Sequence, residues 1–359
     1  MNTPDNNKTD FLIIGQGLAG SLLAWHLRVR GLSILVVDND HRQSSSKVAA
    51  GLVNPVIGKR LSAQAQVHQY LEQAAATYQA FEDFFKQRFY FPKPMLRLIK
   101  DEQQAVFLEK RLQQPIYKKI LGQTWQNTET FYPFKNTHGA VSQKQTGYLD
   151  IKKLLHSMRN WLQQHNQLSS QAFHYDQLKL KEDSVEWQNQ RFSKVIFCEG
   201  HQLSGNPWFD WLPLQKAKGD ILTLHSNELS DQRIINRGNW LLPINKNQYK
   251  TGASSYWQFD HDRPEPAQKQ QVLQNFEQLF EKIPEYQIIN HQAGIRPATR
   301  DKMPFLGSHP EYSPLSVFNG FGAHGSLMMP FYALKMLDWL TQDKPLENTV
   351  DIQRHWKKT

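Results

Sequence analysis

The sequence predicts an α/β fold with two interleaved parts, a parallel sheet covered by helices and a mostly antiparallel α+β domain. Three observations predict it. A glycine-rich strand–turn–helix, IIGQGLAGSLLAWHL, lies near the start, and a second, VFNGFGAHGSLMMPFYALKMLDWL, lies near the end. Between them, residues 205–290 form a run of strand-like segments separated by turn residues. A chain of 359 residues has room for about two domains.

The first elements predict a strand–helix–strand unit. The apolar strand DFLIIG is followed by the helix LAGSLLAWHLRVRG, which ends at Gly31, and by the strand LSILVVD, which ends at Asp38. Continuous apolar strands around a helix are typical of a parallel sheet covered on both faces. After a serine-rich loop, apolar residues recur at three- and four-residue steps over 61–89, which predicts a long helix.

Strands and helices alternate through the remaining sequence. FYFPKPMLRLIK is strand-like, with the prolines of an edge strand, and DEQQAVFLEKRLQQ predicts a short helix. YLDIKKLLHSMRNWLQQH predicts a second long helix, and RFSKVIFCEG predicts a strand that ends at Gly200. The segments KGDILTLH, NWLLPIN, QYKTGASS and QIINHQAGIRP predict strands, with the helix QQVLQNFEQLFEKI before the last. This order assigns residues 1–85, 145–204 and 292–359 to the first domain, and 86–144 and 205–291 to the second.

Composition excludes several classes of protein and site. Hydrophobic residues are 39% of the chain and aromatic residues 12%, enough for a sizeable core. A single cysteine, Cys198, excludes an internal disulfide framework and a cysteine-cluster metal site, and it suits a reducing compartment. The sequence shows no signal-peptide pattern and no apolar run of about 18 residues, so we expect a cytoplasmic protein without a transmembrane segment. Histidines and acidic residues lack metal-ligand spacing, so we expect no metal.

The net charge of +9 is concentrated in one segment. Residues 86–119 hold nine basic side chains against three acidic ones, an excess of six. A solvated, soluble surface is the ordinary interpretation of such a segment. A surface for an anionic partner, such as RNA or an acidic substrate, is the alternative.

The first glycine turn has the spacing Gly15-x-Gly17-x-x-Gly20 between a strand and a helix. In a Rossmann-like domain the first glycine permits the tight turn, the second lets backbone approach a pyrophosphate, and the third lets helix and strand pack closely. The helix N-terminus offers N–H groups to the phosphates. Asp38, 23 residues after Gly15, ends the next strand, where a carboxylate accepts hydrogen bonds from a ribose diol. The turn therefore predicts a dinucleotide, with NAD and FAD both open at this point.

Later segments resemble the D-amino-acid oxidase family of FAD enzymes. They are SSSKVAAGLVNPVIG (44–58), KVIFCEG (194–200), AGIRPATRDKMPFLG (293–307) and NGFGAHGSLMMP (319–330). The family includes glycine oxidase, sarcosine oxidase and the oxidase domain of the enzyme that makes methylaminomethyl-uridine in tRNA. The resemblance covers nearly the whole chain, and its most specific part is Gly-Ile-Arg-Pro with the following Asp-x-x-Pro-x-x-Gly. It implies a Rossmann-like FAD-binding domain with a substrate domain, and non-covalent FAD because no cysteine lies near the C-terminus.

The resemblance also implies why the glycine device occurs twice. The adenine end of FAD lies on the first turn, and the isoalloxazine ring reaches the second. Reduction places negative charge on the ring, and a second helix N-terminus can stabilise it. Pro330 is expected in the first turn of that helix. The implied cofactor-binding residues are Gly15, Gly17, Leu18, Ala19, Gly20, Asp38, Asn39, Ser45, Ser46, Ala50, Gly51, Val195, Gly200, Arg296, Gly320, Gly322, Ala323, His324, Gly325 and Ser326.

Three side chains are implied as catalytic. Arg296 occupies the position of the arginine that binds a substrate carboxylate in amino-acid oxidising members, with a structural ion pair to Asp301 as the alternative. Lys250 matches a lysine that promotes reaction with oxygen in sarcosine-oxidase-like members, and a lysine on an exposed strand face is the alternative. His324 lies in the second turn, where it can touch flavin or substrate or cap the turn.

The sequence therefore predicts an FAD-dependent enzyme that oxidises a C–N bond of a small amine or amino acid. A hydride passes to flavin N5, and water hydrolyses the resulting imine. Lys59 and Arg60 are candidates for selecting an acidic or phosphate-bearing substrate. Two alternatives stay open, an oxidase that removes a carboxymethyl group from a wobble uridine in tRNA, and a non-catalytic flavin-binding protein. The electron acceptor and the oligomeric state are not predicted.

Overall fold

The computed structural model describes residues 8–40 and 44–357, which divide into two compact units. Unit 1 holds the described residues within Met1–Lys47, Ile151–Ala217 and Ile295–Thr359. Unit 2 holds Val48–Asp150 and Lys218–Gly294. None of the described helices combines the length and the apolarity needed to cross a bilayer.

The described residues form strands, helices and a few short 3₁₀ turns. The strands are β1 (Lys8–Ile14), β2 (Ile34–Val37), β3 (Leu52–Val53), β4 (Tyr90–Pro92), β5 (Met95–Leu98), β6 (Leu121–Trp125), β7 (Ala140–Gln143), β8 (Gly147–Leu149), β9 (Leu168–Ser169), β10 (Lys179–Leu180), β11 (Val185–Trp187), β12 (Gln190–Phe197), β13 (Leu214–His225), β14 (Ile234–Arg237), β15 (Asn239–Pro243), β16 (Gln248–Gly252), β17 (Gln287–Thr299), β18 (Phe305–Ser308) and β19 (Leu315–Asn319). The helices are α1 (Leu18–Val29), α2 (Ser45–Val48), α3 (Val67–Phe85), α4 (Glu102–Leu112), α5 (Ile151–Gln164), α6 (Pro266–Glu277) and α7 (Gly325–Gln342).

Unit 1 is built on a sheet with a parallel centre. Its main strand order is β10-β11-β12-β1-β2-β9, and β19 also pairs with β12 in parallel, with β18 beside it. Apolar side chains such as Leu12, Val195 and Leu315 fill its core. Because β2, β1, β12 and β19 run in parallel, their carboxyl ends meet at one edge. That edge carries Asp38, Gly15 and the second glycine turn.

Unit 2 is built on a mostly antiparallel sheet of eight strands in the order β17-β13-β16-β15-β14-β5-β7-β6. One face packs on α6, where Leu222 and Tyr249 meet Phe276. A second sheet, β3-β8-β4, lies beside α3, and the carboxylate of Glu82 on α3 accepts the amide N–H of Tyr90 at 2.7 Å. Parallel and antiparallel sheets with covering helices confirm the predicted α/β fold class.

Several bounds differ from the sequence predictions. The helix expected over 61–89 runs from Val67 to Phe85. Residues 145–150 and 292–294, expected in the first domain, lie in unit 2, and residues 205–217, expected in the second, lie in unit 1. Residues 48–85, also expected in the first domain, lie in unit 2. The reason is the pairing of β3 with β8 and the contacts of α3 with β4, which join this segment to unit 2. Pro330 is the sixth residue of α7 and not part of its first turn, so α7 continues through a proline.

Candidate functional site

The first glycine turn in unit 1 is closed by backbone contacts. Gly15 has φ +100°, and a Cβ on it would lie 2.7 Å from the carbonyl oxygen of Cys198. A Cβ on Gly20 would lie 1.9 Å from the carbonyl oxygen of Gly15. No side chain fits at either position, so both glycines are required by the turn itself.

The N-terminus of α1 faces the serine-rich helix α2. Gly17 caps α1 without a side-chain hydrogen bond. The hydroxyl of Ser46 accepts the amide N–H of Leu18 at 3.1 Å, and a Cβ on Gly17 would lie 3.2 Å from the same hydroxyl. Ser45 and Ser46 both lie on α2, and Ala19 is buried. A helix N-terminus with a hydroxyl beside it is suited to bind phosphate oxygens.

The carboxylate of Asp38 accepts three hydrogen bonds. The amide N–H of Gln16 donates to Oδ2 at 2.8 Å, and the amide N–H of Asp40 donates to Oδ1 at 2.7 Å. Nη1 of Arg159 donates to Oδ1 at 3.0 Å. Asn39, between the two acids, is exposed. Asp38 is therefore held in one orientation beside the first glycine turn.

The end of β12 lies next to the first turn. Cys198 is buried, and burial raises the pKa of its thiol. Gly200 has φ +59°, and its carbonyl oxygen accepts the side-chain N–H of Asn319 at 2.9 Å. Val195 lies in the middle of β12 with its side chain completely buried. The predicted contact of Val195 with the cofactor therefore cannot use its side chain.

The second glycine turn follows β19 at the same edge of the sheet. Gly320 has φ +84°, and its amide N–H is bonded to the Asn319 side chain at 2.7 Å. Gly322 has φ +53°, and its amide N–H donates to the carbonyl of Pro297 at 2.9 Å. The turn is thereby fixed to the Gly-Ile-Arg-Pro segment of β17. Ala323 is exposed, whereas Gly325 and the buried Ser326 begin α7.

Two cationic side chains, Lys302 and Arg296, act on His324 in this second turn. His324 stands at the N-cap of α7. Burial, together with the charges of Lys302 and Arg296, lowers the pKa of His324 to about 4. Asp301, the alternative partner considered for Arg296, binds Nε of Arg354 at 3.0 Å. A neutral imidazole, two cationic side chains and a helix N-terminus together favour a bound anion.

The other predicted residues lie in unit 2. Lys250 is partly buried on β16, between β13 and β15, and pairs with Thr223 and Leu242 in the sheet register. It therefore lies on an interior strand and is partly buried, which differs from the alternative of an exposed strand face. Ala50 is buried in the core of unit 2. A Cβ on Gly51 would lie 1.9 Å from the carbonyl oxygen of Leu149, so this glycine is required where β3 pairs with β8.

Lys59 and Arg60 lie on a loop of unit 2 that is held through its backbone. The carbonyl of Lys59 accepts the side-chain amide of Gln104 at 3.2 Å, and that of Arg60 accepts Nε of Arg111 at 3.3 Å. Buried Arg97 donates to two further carbonyls of the loop, those of Val56 and Gly58. Both basic side chains are exposed.

Sequence reasoning missed Gln16, Arg159 and Lys302. Arg159 and Asp38 are 121 residues apart in the sequence, and no local sequence pattern predicts a contact between them. Gln16 stands at the variable position between the first two glycines, and its buried side chain bonds to α5. The only available signal for Lys302 was its place beside Asp301 in the Gly-Ile-Arg-Pro segment.

The residues at this edge of unit 1 fit an extended dinucleotide such as FAD. A tight turn that excludes side chains, a helix N-terminus with a glycine N-cap and an oriented carboxylate match pyrophosphate and ribose. The second turn supplies another helix N-terminus in positive surroundings. Within residues 8–40 and 44–357, no group of three or more histidine, cysteine or acidic side chains is arranged to hold a metal ion.

Comparison with known proteins agrees with this geometry. The family described as FAD dependent oxidoreductase, DAO, matches residues 10–339. The tRNA 5-methylaminomethyl-2-thiouridine biosynthesis bifunctional protein MnmC of Marinobacter nauticus is 22% identical, over 97% of this chain and 58% of that protein. The chain thus spans little more than half the length of this relative.

Two solved structures have the same fold. Iminodiacetate oxidase from Chelativorans sp. BNC1 superposes with a TM-score of 0.78 at 20% identity, over 95% of this chain and 98% of the other. Glycine oxidase from Geobacillus kaustophilus superposes with a TM-score of 0.77 at 17% identity, over 95% and 96% of the two chains. Since the family match covers most of the sequence, the chain belongs to the DAO family of FAD-dependent oxidoreductases, and its cofactor is FAD.

Proposed function

We propose that this oxidoreductase oxidises a C–N bond in a small amine or amino acid that carries a carboxylate. The observation that carries the proposal is the place of Arg296, directly before Pro297, whose carbonyl accepts the amide N–H of Gly322 in the second glycine turn at 2.9 Å. Burial, and then the charges of Lys302 and Arg296, lower the pKa of His324 in the same turn. A substrate carboxylate is the anion that an arginine binds best, through two parallel hydrogen bonds. Iminodiacetate oxidase and glycine oxidase, which share the fold, are named for substrates of this class.

Each turn has its own part in this proposal. The first turn, with Asp38 and Ser46, holds the ribose and pyrophosphate of FAD. When bound, FAD accepts a hydride from the carbon next to the substrate nitrogen. The N-terminus of α7, which follows Gly322, lies at the reacting end, where its positive dipole end favours negative charge. The protein thus contributes mainly position and electrostatics.

Arg296 orients the substrate through its carboxylate. His324, with its pKa lowered to about 4, stays neutral at physiological pH, so the positive charge offered to the anion is that of Arg296 and Lys302. For Lys250 the proposal is the role that the family resemblance implies, which is to promote the reaction of the reduced flavin with oxygen. Unit 1 is the FAD-binding domain and unit 2 the substrate domain.

The test is the visible spectrum of the purified protein during anaerobic titration with small amines and amino acids. We expect a flavin spectrum that bleaches with a carboxylate-bearing amine and not with the matching amine that lacks the carboxylate. A flavin that bleaches equally with both would contradict the role of Arg296. A flavin that never bleaches would favour the non-catalytic flavin-binding alternative.

A second candidate function is oxidation of a modified wobble uridine in tRNA. One observation favours it, the exposed basic side chains of unit 2 on and beside α4, among them Lys59, Arg60 and Lys110. The relative from Marinobacter nauticus carries tRNA modification in its name. A gel shift with bulk tRNA tests this function, because binding through phosphates weakens steeply as salt rises. Absence of a shift at about 0.05 M salt would exclude it.

We also propose that the protein works in a reducing compartment, the cytoplasm. Support comes from its one cysteine, Cys198, which is buried and has a raised thiol pKa. Fractionation of cells that express a tagged chain tests this, and recovery outside the cytoplasmic fraction would contradict it.

A further inference from the structure

Three side chains form a polar cluster beneath the first glycine turn, in unit 1. They are Gln16, in the turn itself, Asp38, after β2, and Arg159, on α5. All three are largely buried: Gln16 is 5% exposed, and the side chains of Arg159 and Asp38 are 14% and 18% exposed. Buried charges of this kind require partners, and the partners here are one another.

Arg159 is fixed by four hydrogen bonds. Nη1 donates to Oδ1 of Asp38 at 3.0 Å and to Oε1 of Gln16 at 3.1 Å. Nη2 donates to the carbonyl of Asp38 at 3.3 Å and to the hydroxyl of Ser170 at 3.2 Å. The guanidinium thus links the turn after β1, the end of β2 and the segment after β9.

The side chain of Gln16 fixes the turn to α5 and α1. Its Nε2 donates to the carbonyl of Leu155 on α5 at 3.0 Å and to the hydroxyl of Ser21 on α1 at 3.3 Å. The side chain between the first two glycines therefore points into the protein rather than toward a ligand. It sets the distance between the turn and α5, which carries Arg159.

Asp38 keeps acceptor capacity for a ligand. Its two carboxylate oxygens have about four lone-pair positions, and three hydrogen bonds use three of them. The charge of Arg159 also offsets that of Asp38, which lowers the repulsion that an unpaired carboxylate would exert on a nearby pyrophosphate. Because Nη1 and Nη2 of Arg159 each make two hydrogen bonds, the guanidinium is not presented to a ribose 2′-phosphate.

We propose that Arg159 is a positioning residue for the adenosine end of FAD, acting through Asp38 and Gln16. The inference rests on the proposed placement of that end of FAD at the first turn. Arg159 holds the carboxylate in the orientation that accepts the ribose hydroxyl and offsets its charge toward the pyrophosphate. Asp38 and Arg159 therefore work as one unit in binding the cofactor.

The experiment measures the Kd of FAD for the apoprotein by quenching of flavin fluorescence. The variants are Arg159→Met, Arg159→Lys, Asp38→Asn and the double variant Asp38→Asn/Arg159→Met. Arg30→Met serves as control, because the half-exposed Arg30 side chain lies at the C-cap of α1, at the opposite end of that helix from the first glycine turn. We expect at least a tenfold rise in Kd for Arg159→Met, a smaller rise for Arg159→Lys and no change for the control.

The double variant separates positioning from a general structural role. If Arg159 acts through Asp38, the Kd of FAD for the double variant is about equal to the higher of the two Kd values for Arg159→Met and Asp38→Asn. Multiplicative losses in the double variant would overturn the proposal, as would an unchanged Kd in both Arg159 variants. Should Arg159→Met not fold, Arg159→Lys and Asp38→Asn still decide it. A wild-type apoprotein that binds no FAD would overturn the proposed function together with this inference.

Discussion

The two glycine turns of unit 1 are built alike and surrounded differently. Each follows a parallel strand, begins a helix and lies at the same edge of the sheet. In the first turn, a Cβ on Gly20 would lie 1.9 Å from a backbone oxygen. In the second, a Cβ on Gly322 would meet nothing nearer than Ala298, at 3.7 Å. The first turn is thus closed by backbone atoms at Gly15 and Gly20, whereas the second is open at Gly322 and meets side-chain atoms at Gly320, where a Cβ would lie 2.9 Å from Thr299.

The charges around the turns differ as well. Asp38 and Arg159 form an ion pair beside the first turn, whereas Arg296 and Lys302 lie close to His324 in the second. A neutralised acid suits a site that binds the same sugar and phosphates in every state of the cofactor. An excess of positive charge suits a site where negative charge arrives with the substrate. In the proposed function, the same backbone device serves cofactor binding at the first turn and the reaction at the second.

The largest effect is expected at the closed turn. Gly20→Ala places a methyl group against the carbonyl of Gly15, and we expect the free energy of unfolding to fall by at least about 3 kcal/mol. Urea unfolding of the apoprotein measures it. Gly205→Ala is the matched control, since no atom lies within 4 Å of a Cβ at that position. Equal stability of the two variants would show that the first turn is not closed.

At the open turn, Arg296→Ala tests the substrate site. Losing a charged, two-fold hydrogen bond costs about 2–3 kcal/mol, so we expect the apparent KM for a carboxylate-bearing substrate to rise roughly 100-fold. The Kd of FAD is expected to change less than about twofold. Arg296→Lys keeps the charge but loses the paired geometry, so its KM should lie between that of the wild type and that of Arg296→Ala. An unchanged KM in Arg296→Ala would remove the substrate role.

The electrostatic difference predicts a dependence of stability on pH. His324 has a pKa of about 4 in the folded chain against 6.5 as the ordinary value, so the unfolded chain binds more protons between those values. Stability is therefore complete above pH 6.5 and is lost as the pH falls toward 4. Between pH 7 and pH 4.5 the wild type should lose on the order of 2 kcal/mol in the free energy of unfolding, and His324→Gln should not show this loss. Urea unfolding across this range measures the free energy of unfolding, and the exposed His174→Gln is the control. The same dependence of this free energy on pH in the wild type, His324→Gln and His174→Gln would contradict the prediction.

The smallest effect is expected for Gly322→Ala. The position has φ +53° but open space around a Cβ, so only the backbone conformation opposes the methyl group. We expect a loss of about 1 kcal/mol in the free energy of unfolding. If Gly322→Ala lowers the free energy of unfolding as much as Gly20→Ala does, the two positions do not differ sterically as described.

Much of the site could be predicted because the motifs are local. The first glycine turn and Asp38 follow from short stretches whose spacing carries a physical reason, whereas Arg296 and the role of the second turn were implied by the family resemblance. Arg159 could not be predicted, since its contact with Asp38 depends on where α5 packs. The periodicity of α3 predicted a helix but not its partner, β4, so its membership in unit 2 was missed. Val195 shows the converse, a residue named from resemblance whose side chain is buried in the core.

The division of labour between the turns is tested most directly by two measurements on the same two variants. We would measure the Kd of FAD and the substrate concentration that half-reduces the bound flavin, in Arg159→Met and in Arg296→Ala. We predict that Arg159→Met raises only the first quantity and Arg296→Ala only the second. If each variant changes both quantities in proportion, the two turns do not have separate functions.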